Sequence, residues 1–167
     1  APVTFDNGNY WQAILFDNFN PVEIVENNKS DAKDKLLNYS LAASFQVLDG
    51  LSFNTNFAKQ SVNQLSGQYN PSTSFFRGLS RGGRATRRIA DHEMTQFESY
   101  LIFQPEKSKY SWSITSGFSY QQYFNESLFM DMGNLPTDAL GYYGIDLSAD
   151  RVSGGERSII IDAQASP

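Results

Sequence analysis

Five arginines crowd one stretch: Arg77, Arg81, Arg84, Arg87 and Arg88 surround Gly82-Gly83 in QYNPSTSFFRGLSRGGRATRRIADH (68–92). Guanidinium groups match anionic oxygens two at a time, and three uses compete for such a cluster. RGG-like runs bind RNA. Here there is one copy, in a chain of net charge −5 and pI near 4.8, which argues against nucleic acid. The second use is an external contact with phosphates or a partner surface, with Arg81, Arg84 and Arg87 as its candidates. The third is a solvated loop. His92 is the sole histidine, between Asp91 and Glu93. With no cysteine and no second histidine it makes a poor metal site or acid–base pair and reads as a solvated junction residue. Tyr142-Tyr143 offer rings that stack on sugars or anchor their own loop. Asp131, Asp138, Asp146 and Asp150 are spaced too widely for an EF-hand, though folding could gather them around calcium. Gly154-Gly155 lacks the strand–GxxxxGK–helix setting of a phosphate loop. No nucleophile, base and oxyanion set is recognisable, so neither an enzyme nor a cofactor is expected.

The elements that would carry these residues are strands. Phe, Tyr and Trp make up 14% of the 167 residues, a composition that favours β structure. Thr95 to Tyr123 reads as two long strands on a polar turn at Pro105–Lys109. Phe97, Leu101 and Phe103 are apolar at odd positions, and Trp112, Ile114, Phe118 and Tyr120 at even ones. Period-two alternation gives one apolar and one wet face. Leu37 to Val47 alternates in the same way, as does Leu51 to Gln60, with Leu48-Asp49-Gly50 as a short turn. That alternation frays towards Tyr69. Residues 68–92 and 125–157 read as long loops, with a strand beginning only at Ser158–Asp162. Asn27–Lys35 reads as a loop tip. Asp6-Asn7-Gly8 and Asn20-Pro21 read as turns, the latter before a short alternating run, Val22–Val25.

Loops beyond about 12–15 residues are uncommon in compact soluble domains. They are normal in outer-membrane barrels, which have short periplasmic turns and long external loops. The turns at 48–50 and 105–109 would then be periplasmic. Phe45, Phe53, Phe103 and Trp112 would form part of an aromatic girdle. No run approaches the roughly 18 apolar residues of a membrane helix, which says nothing against a barrel. The expected fold is therefore all-β, an antiparallel transmembrane barrel segment. Its four or so long strands would be about a fifth of a wall of about 22. The beginning, APVTFDNGNYWQ, has no basic or apolar leader pattern. The end, IIIDAQASP, lacks a closing aromatic. Both ends are expected to be cuts in a longer chain. The competing reading is a soluble β-sandwich that binds carbohydrate, its apolar face turned to a second sheet.

Asn20-Pro21-Val22-Glu23-Ile24-Val25-Glu26 resembles the "NPVA" segment of the SusC/RagA-type TonB-dependent outer-membrane transporters of Bacteroidetes. NYSLAASFQVLDGLSFNTNFA (38–58) is similar to that family's paired strands, and FDNGNYW and SGGERS (153–158) to its barrel segments. The resemblance covers nearly the whole chain through loose motifs in the family's order. It implies an energised importer of oligosaccharide or peptide. A plug would fill the barrel, TonB would pull on an N-terminal box, and a SusD-like lipoprotein would close the outer face. Neither plug nor box lies within residues 1–167, so the chain would be barrel wall whose partners are the rest of the barrel, its plug and membrane lipid. In that setting the external contact of the arginines would be with lipopolysaccharide phosphates or the partner lipoprotein, and the solvated loop stays open beside it.

Overall fold

The computed structural model describes residues 4, 9–12, 19–105 and 110–166. A short helix, α1 (Pro21–Asn27), precedes five strands: β1 (Lys29–Leu48), β2 (Leu51–Asn70), β3 (Arg84–Phe103), β4 (Ile114–Gly133) and β5 (Asp150–Ser166). They form a single antiparallel sheet in sequence order, β1-β2-β3-β4-β5. The all-β antiparallel expectation holds, with one strand more than the four expected.

The strands outrun their sequence signal. β2 continues to Asn70 and β3 starts at Arg84, so the loop expected over 68–92 shrinks to residues 71–83. The loop expected over 125–157 is confined to 134–149, and the presumed loop tip Asn27–Lys35 belongs mostly to β1. Alternation requires one face to be apolar, and it is lost where polar residues or glycine interrupt that face although the backbone ladder goes on. The turn expected at 105–109 lies mostly outside the described residues, and Asp6–Gly8 lies wholly outside them.

Val22–Val25 is helical, not extended. Asn20 caps the helix, its Oδ1 accepting from the Val22 N–H at 3.0 Å, and Pro21 occupies the first turn. Both are helix-start signals. Four alternating residues are too few to outweigh them.

The chain divides into two compact units. One comprises Asp34–Asn63, Ala90–Glu126 and Glu156–Pro167, and it carries the apolar face. Tyr39 meets Phe57 at 6.1 Å between ring centroids, and Phe103 meets Trp112 edge-on at 5.6 Å. The Lys59–Glu93 pair joins β2 to β3, and Gln121 meets Met94 on the reverse side of β3 and β4. Together these contacts place the odd positions of β1, β2 and β3 and the even positions of β4 on one side of the sheet. On that side Leu41, Phe45 and Ile161 are 72%, 58% and 59% exposed. A sandwich would bury these groups under a second sheet; the described strands form one sheet, and the side chains stay uncovered. In the same unit Gly50 closes the β1–β2 turn with φ of +77°. A Cβ there would fall 2.6 Å from the Gln104 carbonyl oxygen, so only glycine fits. His92 lies within β3, not at a loop junction, and its Nδ1 is 2.7 Å from Asn125 Oδ1.

The other unit comprises Ala1–Lys33, Gln64–Ile89 and Ser127–Gly155. Its small core gathers Tyr69, Ala85, Met132 and Leu135, with Tyr142 packed against them. Two loops, 71–83 and 134–149, are fastened over that core. Asn134 and Leu135 donate backbone N–H groups to the Arg81 and Gly82 carbonyls at 2.5 and 3.1 Å.

Candidate functional site

All five residues singled out for contact, Arg81, Arg84, Arg87, Tyr142 and Tyr143, fall in this second unit. They do not form one site. Strand parity separates the arginines, because successive side chains point to opposite faces.

Arg84 opens β3 and turns to one face. Its Nη2 and Nε reach Asp131 at 2.6 and 3.1 Å. Arg81 ends a 3-10 turn, Leu79–Arg81, and grips the same carboxylate through Nη1 at 2.7 Å while its Nε meets Asp150 at 3.0 Å. The four charges link loop 71–83, β3, β4 and the first residue of β5. Asp131 shows 17% side-chain exposure and the arginines 27% and 25%. Charge-assisted bonds at this depth are stronger than exposed pairs. Here both guanidiniums are engaged by carboxylates of the fold.

Arg87 turns to the opposite face. Its Cζ lies 5.6 Å from the Tyr143 ring centroid, within cation–π range. Tyr143 in turn leans on Tyr142 at 4.6 Å. Tyr142 is an anchor. Its ring lies over Gly67, where a Cβ would come within 2.7 Å of it, and its hydroxyl donates to Asp31 Oδ2 at 2.8 Å. Tyr143 stays 63% exposed.

Asp138 latches loop 134–149. It accepts from the Tyr69 hydroxyl, from the Ser72 N–H at 3.1 Å and from the Ser72 hydroxyl at 2.8 Å. Burial pushes its carboxyl pKa up, but the Tyr69 and Ser72 hydrogen bonds outweigh burial and hold it below the ordinary value of 3.8. A depressed folded value means that the latch is at full strength above the ordinary pKa and weakens as pH falls through the folded one. Proteolysis within 134–149 is expected to stay constant from pH 7 to about 5 and to rise only below about 4. Asp138→Asn is expected to abolish that dependence.

The possible calcium set does not assemble: Asp131 and Asp150 are taken by Arg81, and Asp138 by Tyr69 and Ser72. Among the described residues no three acidic or histidine groups converge on a metal position. Asp31, Tyr69, Asp131 and Asp150 matter more than the sequence indicated. Once Arg84 is placed on a strand, parity alone separates it from Arg87.

Compared with known proteins, the chain is 27% identical over 127 residues to TonB-dependent receptor P3 of Formosa agariphila. The match takes in 76% of this chain. That likeness supports a place among the TonB-dependent receptors. The chain spans 13% of that relative's length, so it corresponds to a small part of such a receptor. No family model matches the chain, and no solved structure matches it. The likeness to a TonB-dependent receptor points to the outer membrane, and the sheet bears the uncovered apolar face that such a setting requires.

Proposed function

We propose that residues 1–167 form part of the barrel wall and outer loops of an energised outer-membrane importer of the SusC/RagA type, working with TonB and closed by a SusD-like lipoprotein. Its cargo is an oligosaccharide or peptide. One observation carries the reading: Phe45, Phe118 and Ile161 stand uncovered on one side of the sheet. Monomeric soluble proteins rarely expose a continuous apolar surface of this kind, whereas a barrel wall turns it to hydrocarbon. Connection lengths support the same reading. The β1–β2 turn is Asp49-Gly50, while β2–β3 and β4–β5 are joined by residues 71–83 and 134–149. In such a wall Tyr143 on the longer loop is a candidate ligand contact.

The test is extraction. The receptor is expected in the outer-membrane fraction, released only by detergent and migrating as a heat-modifiable band. Recovery as a water-soluble monomer refutes the proposal.

A further inference from the structure

Arg87 differs from Arg81 and Arg84 in having no carboxylate. Among the described residues it makes no ion pair, and its Nε is buried without an acceptor. Tyr143, which it faces, is mostly exposed. Asp31 marks where β1 joins this surface, because it takes the Tyr142 hydroxyl. Its alternate neighbours Lys29 and Lys33 share its face. Both lysines are exposed and, among the described residues, in no ion pair. Lys29 and Lys33 thus flank Asp31 along β1, and the Tyr142–Tyr143 pair runs from Asp31 to Arg87 on β3. The surface is positive in a chain whose net charge is −5.

Position narrows the occupant. Along β1 the alternate residues run Lys29, Asp31, Lys33, Lys35, then Leu37, Tyr39 and Leu41. The cations therefore stop where the apolar positions of the same strand face begin. Lysine, arginine and tyrosine beside an apolar band are suited to lipid headgroups. A guanidinium with no carboxylate partner is suited to phosphate.

We infer that Lys29, Lys33 and Arg87, with Tyr143 as a platform, bind the phosphate groups of a lipid headgroup at the outer edge of the barrel. The site rests on the membrane reading above. It differs from the Arg81–Arg84 pair, which the fold itself consumes.

The test uses the intact receptor in detergent, titrated with diphosphorylated lipid A and with the same lipid after dephosphorylation, bound lipid being read by native mass spectrometry. Tighter binding of the phosphorylated form is expected. The triple variant K29A/K33A/R87A should weaken it by about fivefold per lost charge, roughly a hundredfold in all. Arg88→Ala, on the other face of β3, should leave it unchanged. Heat-modifiability retained by the triple variant shows that the barrel has folded. Unchanged lipid affinity in a folded triple variant, or equal binding of the two lipids, overturns the lipid site and leaves the barrel reading standing. Loss of lipoprotein binding with lipid binding intact overturns it in favour of a protein partner. A water-soluble receptor overturns both.

Discussion

Phe118→Lys is expected to destabilise the folded receptor in a bilayer by about 2–4 kcal/mol. Phe118 lies on the apolar face of β4, with 44% of its surface uncovered. A lysine there would hold its ammonium against hydrocarbon, with only a flexible stem to carry it towards the headgroups. Ser119, the next residue, points to the opposite face, and Ser119→Lys should change stability by less than about 1 kcal/mol. Comparing the denaturant midpoints of the two variants in vesicles separates the faces. Equal losses at 118 and 119 would contradict the assignment of one face to lipid and the other to water.

The second large effect is expected at Asp131. One carboxylate there serves both Arg81 and Arg84. Asp131→Asn keeps the shape but removes the charge, leaving two mostly covered guanidiniums with a neutral amide between them. Hydrogen bonds to charged groups contribute about 1.5–3 kcal/mol each. Discounted for the water that still reaches these side chains, the local loss is about 2–3 kcal/mol. Amide exchange in residues 71–83 and 134–149 should accelerate accordingly, while the apolar-faced unit is unaffected. Asp150→Asn should have a smaller effect, since Asp150 is 52% exposed and serves Arg81 without Arg84. A similar response to both substitutions would mean that the bridge contributes little to loop order.

The two effects correspond to what was legible in the chain and what was not. Leu37–Val47, Leu51–Phe57 and Phe97–Phe103 announced themselves as strands, because one of their faces is apolar. The upper reach of β2 and the start of β3 were silent, because Gly67 interrupts the apolar face of Gln64–Asn70, and Arg87 and Asp91 interrupt that of Arg84–His92. Asn20-Pro21 carried a readable helix start, yet it was outweighed by a four-residue alternation. The arginine cluster was visible as composition, but its division was not. Arg84 and Arg87 are three residues apart, a spacing that places them together on a helix or loop and on opposite sides of a strand.

By itself the sequence determined the fold class and the existence of an apolar sheet face, since periodicity in a strand records which side meets water. It also pointed to the receptor family, through the order of its segments. Only the tertiary structure decided which charges are spent internally. Asp131 and Asp150 lie 50 and 69 residues from Arg81, and no local pattern specifies a pairing that forms only when distant strands fall into register.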